Sequence, residues 1–112
     1  ILFSALATTM DGEPVPTLAL APMAVRTDRQ HGGIGSELVR TGLALARQRE
    51  WWAVIVLGHP GYYPRFGFSA EKTRRLKAPF SGEAFMALEL VPGALDGQEG
   101  EVTYPPAFDP DR

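Results

Sequence analysis

Residues 30–57 read QHGGIGSELVRTGLALARQREWWAVIVL, and this stretch decides the fold. From Gly33 onward, Ile34, Leu38, Val39, Gly42, Leu45 and Ala46 recur at spacings of three and four, the period of one helix face. Glu37, Arg40, Arg47 and Gln48 fall mostly on the other side. Arg47 and Arg49 stand where cations suit the C-terminal end of a helix dipole. The pattern predicts a helix over about 34–50. Trp51 to Leu57 is then a continuous apolar run with β-branched residues, bounded by Gly58. Such a run suits a strand covered on both faces. An apolar run, TLALAPMAV at 17–25, precedes the glycines. The order strand, glycine turn, amphipathic helix, strand is a βαβ unit with a parallel pair.

Working outward, residues 1–9 are apolar and β-tolerant, and Asp11-Gly12 is a strong turn signal. The 1–9 and 17–25 runs are therefore expected to pair antiparallel. Residues 59–68, HPGYYPRFGF, form a proline- and aromatic-rich connection. Pro60 can open a short helix, whereas Pro64 disfavours helical geometry at Tyr63. Residues 69–83 read as a basic loop, and 84–91 as a strand. The acidic, Pro- and Gly-rich tail 92–112 is expected to be irregular. The result is one domain over 1–112, of α/β (α+β) class, with a mixed central sheet.

The chain has 112 residues, of which 45% are apolar and 21% charged, a globular composition. There is no cysteine, which excludes thiolate catalysis and disulfides. No metal site is expected, and His31 and His59 are the only imidazoles. Residues 1–91 carry a net charge of +2 and residues 92–112 carry −4. That balance does not suit a duplex nucleic-acid binder. A smaller basic cluster, Arg65, Lys72, Arg74, Arg75 and Lys77, suits a solvated face or a partner for phosphate groups. No apolar run approaches a membrane span, and Ile1 to Thr9 lacks the basic region of a signal peptide. The expected location is the cytoplasm, with no membrane partner.

The segment Gln30-His31-Gly32-Gly33-Ile34-Gly35-Ser36 joins strand to helix. Glycines there let the backbone approach an anion, and the first helical N–H groups point outward without internal partners. A tight turn with glycines for packing alone is the competing reading. The Walker pattern fails because Ser36-Glu37, not Lys-Ser/Thr, follows Gly35. The dinucleotide pattern fails because Leu38 stands where a third glycine is required. Pro22 interrupts the strand before the loop. A bulge there would splay this strand from 51–57 and free the backbone of Met23, Ala24 and Val25. An extended amide-bearing ligand could enter that gap as a strand would. A pyrophosphate carrying an amide-bearing arm describes coenzyme A.

These residues resemble a known superfamily. Met23-Ala24-Val25 followed by Gln30-x-x-Gly33-x-Gly35 is similar to the acetyl-CoA signature of the GNAT N-acetyltransferases. Tyr63-Pro64-Arg65-Phe66-Gly67-Phe68 resembles their second signature, a Tyr before a terminal Gly-Phe. The segments LGHPGYYPRFGF, AFMALELVPGAL and YPPAF are similar to a bacterial branch of predicted N-acetyltransferases. The resemblance covers nearly the whole chain and implies a GNAT-like sheet with a βαβ acetyl-CoA core. The family begins with a strand and two helices, so the chain is expected to be N-terminally truncated. It also implies roles. Met23 and Val25 would bond the acetyl and pantetheine parts through their backbones, and Gln30 to Ser36 would hold the pyrophosphate. Tyr63 matches the tyrosine that protonates the leaving thiolate.

Acetyl transfer from a thioester to an amine needs a base, an oxyanion donor and an acid for the thiolate. The Met23 N–H is the candidate donor and Tyr63 the candidate acid. His59, at the end of the 51–57 strand, is the candidate base. The competing readings make His59 and Tyr63 structural and His31 an exposed loop residue. Tyr62, Trp51 and Trp52 read as packing residues. Three functions follow for testing: an N-acetyltransferase acting on a primary amine, a non-catalytic acyl-CoA-binding module, and a partial domain completed by another chain. A homodimer is a further expectation.

Overall fold

A computed structural model describes residues 2–21, 34–78 and 82–103. Seven strands and one α-helix appear among them: β1 (Leu2–Met10), β2 (Glu13–Pro14), β3 (Thr17–Ala21), α1 (Ile34–Gln48), β4 (Ala53–Leu57), β5 (Leu76–Lys77), β6 (Phe85–Glu89) and β7 (Gly100–Thr103). The sheet runs β5-β7-β1-β3-β4-β6, with β2 paired to β1. The β3–β4 and β5–β7 pairs are parallel and the others antiparallel.

The hairpin forms at Asp11-Gly12, both with positive φ (51° and 83°), as a two-residue turn of matching twist requires. Asp11 has a second task. Its carboxylate accepts the N–H groups of Gln98 and Glu99, which fastens the start of β7 to the turn. Those bonds lower its pKa from the ordinary value.

Helix α1 lies on one sheet face. Val39, Leu43 and Ala46 pack there with Leu18, Leu20, Val54, Val56 and Met86. The ring of Phe3 closes on Gly42, where a side chain would have no room. At the helix end Glu50 takes a positive φ of 64°, its N–H bonds Arg47 O, and the Trp51 N–H reaches Ala46 O. This is the left-handed reversal that usually takes glycine. The other face is a second core, with Leu6, Ala19, Ile55, Phe85, Leu95 and Val102. Strand β4 is therefore covered on both sides, and Ala53 to Val56 are at most 1% exposed.

Three expectations need correction. The tail is not wholly irregular, because β7 lies in it and pairs with β1. The 69–83 stretch contains a 3₁₀ turn at Ala70–Thr73 and the parallel strand β5. Its order comes from side-chain anchors: the Ser69 hydroxyl accepts Glu71 N–H, and the Thr73 hydroxyl donates to Ala70 O and Phe85 O. Third, Tyr63–Phe66 is a 3₁₀ turn despite Pro64, because proline occupies an early position where no N–H bond is required. Gly67, at φ 100°, ends that turn and returns its N–H to Pro64 O.

Glu89 ties the second core to the tail. It is nearly buried, 2.8 Å from Lys72 Nζ, and accepts the Leu95 N–H at 2.8 Å. Burial alone would raise its pKa. The Lys72 hydrogen bond, the Leu95 N–H and the Lys72 charge together reverse that, and the net shift is downward. A lowered folded-state pKa stabilises the fold above the unfolded value and loses that contribution as pH falls through the folded one. Glu89→Gln is therefore expected to cost about 1.5–3 kcal/mol at pH 7. The difference from wild type should shrink below about pH 4.5, as denaturant midpoints at both pH values would report.

Candidate active site

The end of β4 positions the site. After Leu57, Gly58 donates its N–H to Ala84 O, and the chain turns so that the Tyr62 and Tyr63 N–H groups both reach His59 O. The turn lays the Tyr63 ring against Gly58. A Cβ on Gly58 would stand 2.6 Å from a ring carbon, so the approach requires glycine. Tyr63 is 6% exposed and packs edge-on against Tyr62 (5.1 Å between centroids) and Phe68 (5.8 Å). Burial, and then the neighbouring Tyr62, raise its pKa above the ordinary tyrosine value. The phenol is thus a protonated donor at every physiological pH. His59 is different: it is exposed, and its carbonyl anchors the turn.

Helix α1 begins at Ile34, as the glycine pattern predicts. The N–H groups of its first three residues, Ile34, Gly35 and Ser36, have no helical partner by construction. The Ser36 hydroxyl lies 3.0 Å from the Tyr62 hydroxyl. That bond fixes the first turn of α1 to the aromatic turn, so the anion-receptive helix end and Tyr63 belong to one region. Sequence reasoning treated Tyr62 as structural and missed this link and the packing role of Gly58. A small residue directly after an apolar strand was the available signal. Pro22, Met23, Ala24, Val25, Gln30, His31, Gly32 and Gly33 lie outside the described residues. The described part of the β3–β4 ladder ends at Leu20 opposite Val56, although β3 continues to Ala21 and β4 to Leu57.

The basic cluster does not form one patch. Lys72 is held by Glu89, Arg74 lies 4.0 Å from Glu71, and Arg75 donates to Asp96 O and Gly97 O. Arg74, Arg75 and Lys77 line a 580 Å³ cavity with Asp11, Glu99 and Glu101. That cavity sits beyond the start of β3, at the opposite end of the sheet from Gly58. Among the described residues no cluster of His, Asp and Glu is arranged to hold a metal. No helix among them is long and apolar enough to cross a membrane.

No family model matches the sequence. The chain is 34% identical over 97 residues to the uncharacterized N-acetyltransferase YhbS of Escherichia coli K12, covering 85% of this chain and 58% of the relative. It superposes on the crystal structure of the E. coli GNAT family N-acetyltransferase YhbS in complex with CoA with a TM-score of 0.77, at 32% identity, covering 98% of this chain and 60% of that one. The chain belongs to the GNAT superfamily. A GNAT family acetyltransferase from Brucella melitensis, in complex with acetyl-CoA, also matches, with a TM-score of 0.65 and 36% identity over 96% of this chain and 58% of that one. The uncharacterized N-acetyltransferase YjhQ of E. coli K12 is 49% identical over 49 residues, 44% of this chain and 27% of the relative. The chain thus spans about three-fifths of the YhbS relative. Of the GNAT signature residues expected from sequence, Ile34 to Ser36 open α1, Tyr63 opens the aromatic turn, and Gly67 and Phe68 close it. The mixed GNAT-type sheet with one helix on the β3–β4 pair is as expected.

Proposed function

We infer that the chain acts in the cytoplasm as an acetyl-CoA-dependent N-acetyltransferase, moving the acetyl group to a primary amine with Tyr63 as general acid. The observation that carries this is the Tyr63 phenol: buried, held protonated, packed on Gly58 at the parallel-strand end, and in edge contact with Tyr62, whose hydroxyl meets Ser36 in the first turn of α1. The relatives' names and the CoA and acetyl-CoA in two related structures support it.

In this reading the backbone of Gln30, His31, Gly32, Gly33, Ile34, Gly35 and Ser36 receives the pyrophosphate. The backbone of Met23, Ala24 and Val25 pairs with the pantetheine arm, and the Met23 N–H faces the carbonyl oxygen as it gains charge. The neutral amine attacks the thioester carbon and a C–N bond forms. The C–S bond breaks, and the departing thiolate takes the Tyr63 proton. The amine's surplus proton leaves to His59, directly or through water, and solvent reprotonates Tyr63. An exposed imidazole can exchange that proton freely with bulk water.

The test is release of free thiol from acetyl-CoA across a panel of amines. Coenzyme A binding without thiol release on any amine would make this a non-catalytic binding module instead. A second expectation concerns the loop. Gly35→Val puts a branched side chain where backbone must approach phosphate. It is expected to weaken coenzyme A binding by about tenfold or more, the loss of one charge-assisted contact, in a protein whose circular dichroism is unchanged. Unaltered affinity would remove the pyrophosphate from this loop.

A further inference from the structure

Coenzyme A carries three phosphates, and two belong to its pyrophosphate. The remaining phosphate monoester on the ribose bears close to two negative charges at neutral pH, and calls for guanidinium groups. Helix α1 offers one a turn beyond its anion-receptive end. Arg40 follows Ser36 by four residues, about 6 Å along the axis on the same flank. Its guanidinium carbon lies 5.4 Å from the Phe66 ring centroid. A second guanidinium comes from the aromatic turn that Ser36 and Tyr62 tie to this flank. Arg65 lies over the Tyr62 ring at 4.4 Å, and its Nε donates to Tyr62 O. Tyr62 and Phe66 are themselves in edge contact at 5.4 Å. Stacked guanidiniums keep their outer N–H edges open for bidentate contact with phosphate. Both line one cavity of about 300 Å³, which Arg47 also borders, over a floor of Leu43, Phe66 and Leu88. Among the described residues neither has a carboxylate at ion-pair distance, whereas Lys72 and Arg74 do. The cavity is thus a cationic lip over an apolar floor, one turn from the pyrophosphate position.

We propose that Arg40 and Arg65 form the subsite for the ribose phosphate of coenzyme A and make the protein prefer coenzyme A to dephospho-coenzyme A. This rests on the coenzyme reading of the preceding subsection. The apolar floor would take the face of the adenine.

Calorimetric titration of the 112-residue protein with coenzyme A and with dephospho-coenzyme A tests it. Wild type is expected to bind coenzyme A about tenfold or more tightly, since charge-assisted contacts are at stake. Arg40→Gln and Arg65→Gln should each reduce that ratio, and the double variant should reduce it further, with the larger loss falling on coenzyme A rather than on dephospho-coenzyme A. Arg49→Gln removes an equal charge outside the cavity and should keep the ratio, which separates a local contact from general attraction. Wild-type protein that binds both ligands equally overturns the subsite and leaves the coenzyme reading standing, whether or not the variants fold. A double variant with the full wild-type ratio overturns it too. Wild-type protein that binds neither ligand removes the coenzyme reading and the subsite with it.

Discussion

Tyr63→Phe is expected to lower the turnover number by about 10²–10⁴-fold, the usual range for a general acid, with acetyl-CoA affinity nearly unchanged. The substitution is a narrow one. The ring is 6% exposed, and its edge contacts with Tyr62 and Phe68 need only the ring. Phenylalanine keeps them and removes one donor. The pH profile supplies an independent check. Burial and Tyr62 raise the phenol's pKa above the usual tyrosine value, so the proton is held more firmly than in solution. Wild-type turnover should therefore rise with pH as the amine loses its proton, and any fall from loss of the phenol proton should have its midpoint above the ordinary tyrosine value of about 10. Gly58→Ala gives the converse experiment: the phenol stays but its ring must shift, because the new methyl would lie 2.6 Å from it. Turnover should drop there as well, since small misplacements are costly in catalysis. Near-normal turnover in Tyr63→Phe would mean the thiolate departs unaided. A Tyr63→Phe protein that no longer binds coenzyme A would make the ring structural.

The α1 half of the molecule was legible because its signals are local. Helix α1 declares itself by period, β4 by a run of β-branched residues, and the hairpin by Asp11-Gly12. The other half depends on contacts between residues far apart in sequence. Strand β7 is four residues long, begins at a glycine and lies in an acidic tail, so nothing local marks it. It exists because Asp11 holds the N–H groups of Gln98 and Glu99, and because β1 offers a free edge from Ala7 to Met10. Strand β5 likewise follows from Arg75, whose carbonyl accepts the Gly100 N–H and whose guanidinium bonds Asp96 O and Gly97 O. At the site, the Tyr63 motif was readable as a pattern, while the Ser36–Tyr62 bond joins residues 26 apart and has no sequence signature. The basic cluster misled for a related reason. Adjacency in sequence suggested one patch, yet Lys72 and Arg75 serve the fold, and Arg65 acquires a neighbour, Arg40, from another element.

Phe85→Ala is expected to destabilise the protein by about 3–5 kcal/mol, the range for emptying a buried aromatic site. Phe85 opens β6, an outer strand, and is 2% exposed. It belongs to the core face away from α1, with Ile55, Ala87, Leu76 and Leu95. Two of those partners come from segments that look like loop in the sequence. The neighbourhood cannot readily collapse onto the vacated space, because β6 is paired to β4 from Phe85 to Glu89 and Phe85 O holds the Thr73 hydroxyl. A small domain has about 5–15 kcal/mol in total, so this one change removes a large fraction. Phe85→Leu refills most of the volume and should cost well under half as much. Denaturant midpoints with an unchanged slope would report both. A loss below about 1 kcal/mol for Phe85→Ala would show that the second face is loosely packed, and that residues 69–78 and 90–99 do not close it. The same variant separates fold from chemistry. Phe85 and Tyr63 lie in the two different core clusters, on opposite faces of the sheet. Activity of Phe85→Ala should therefore fall in proportion to its folded fraction, with wild-type turnover per folded molecule, whereas Tyr63→Phe should stay fully folded and lose turnover alone.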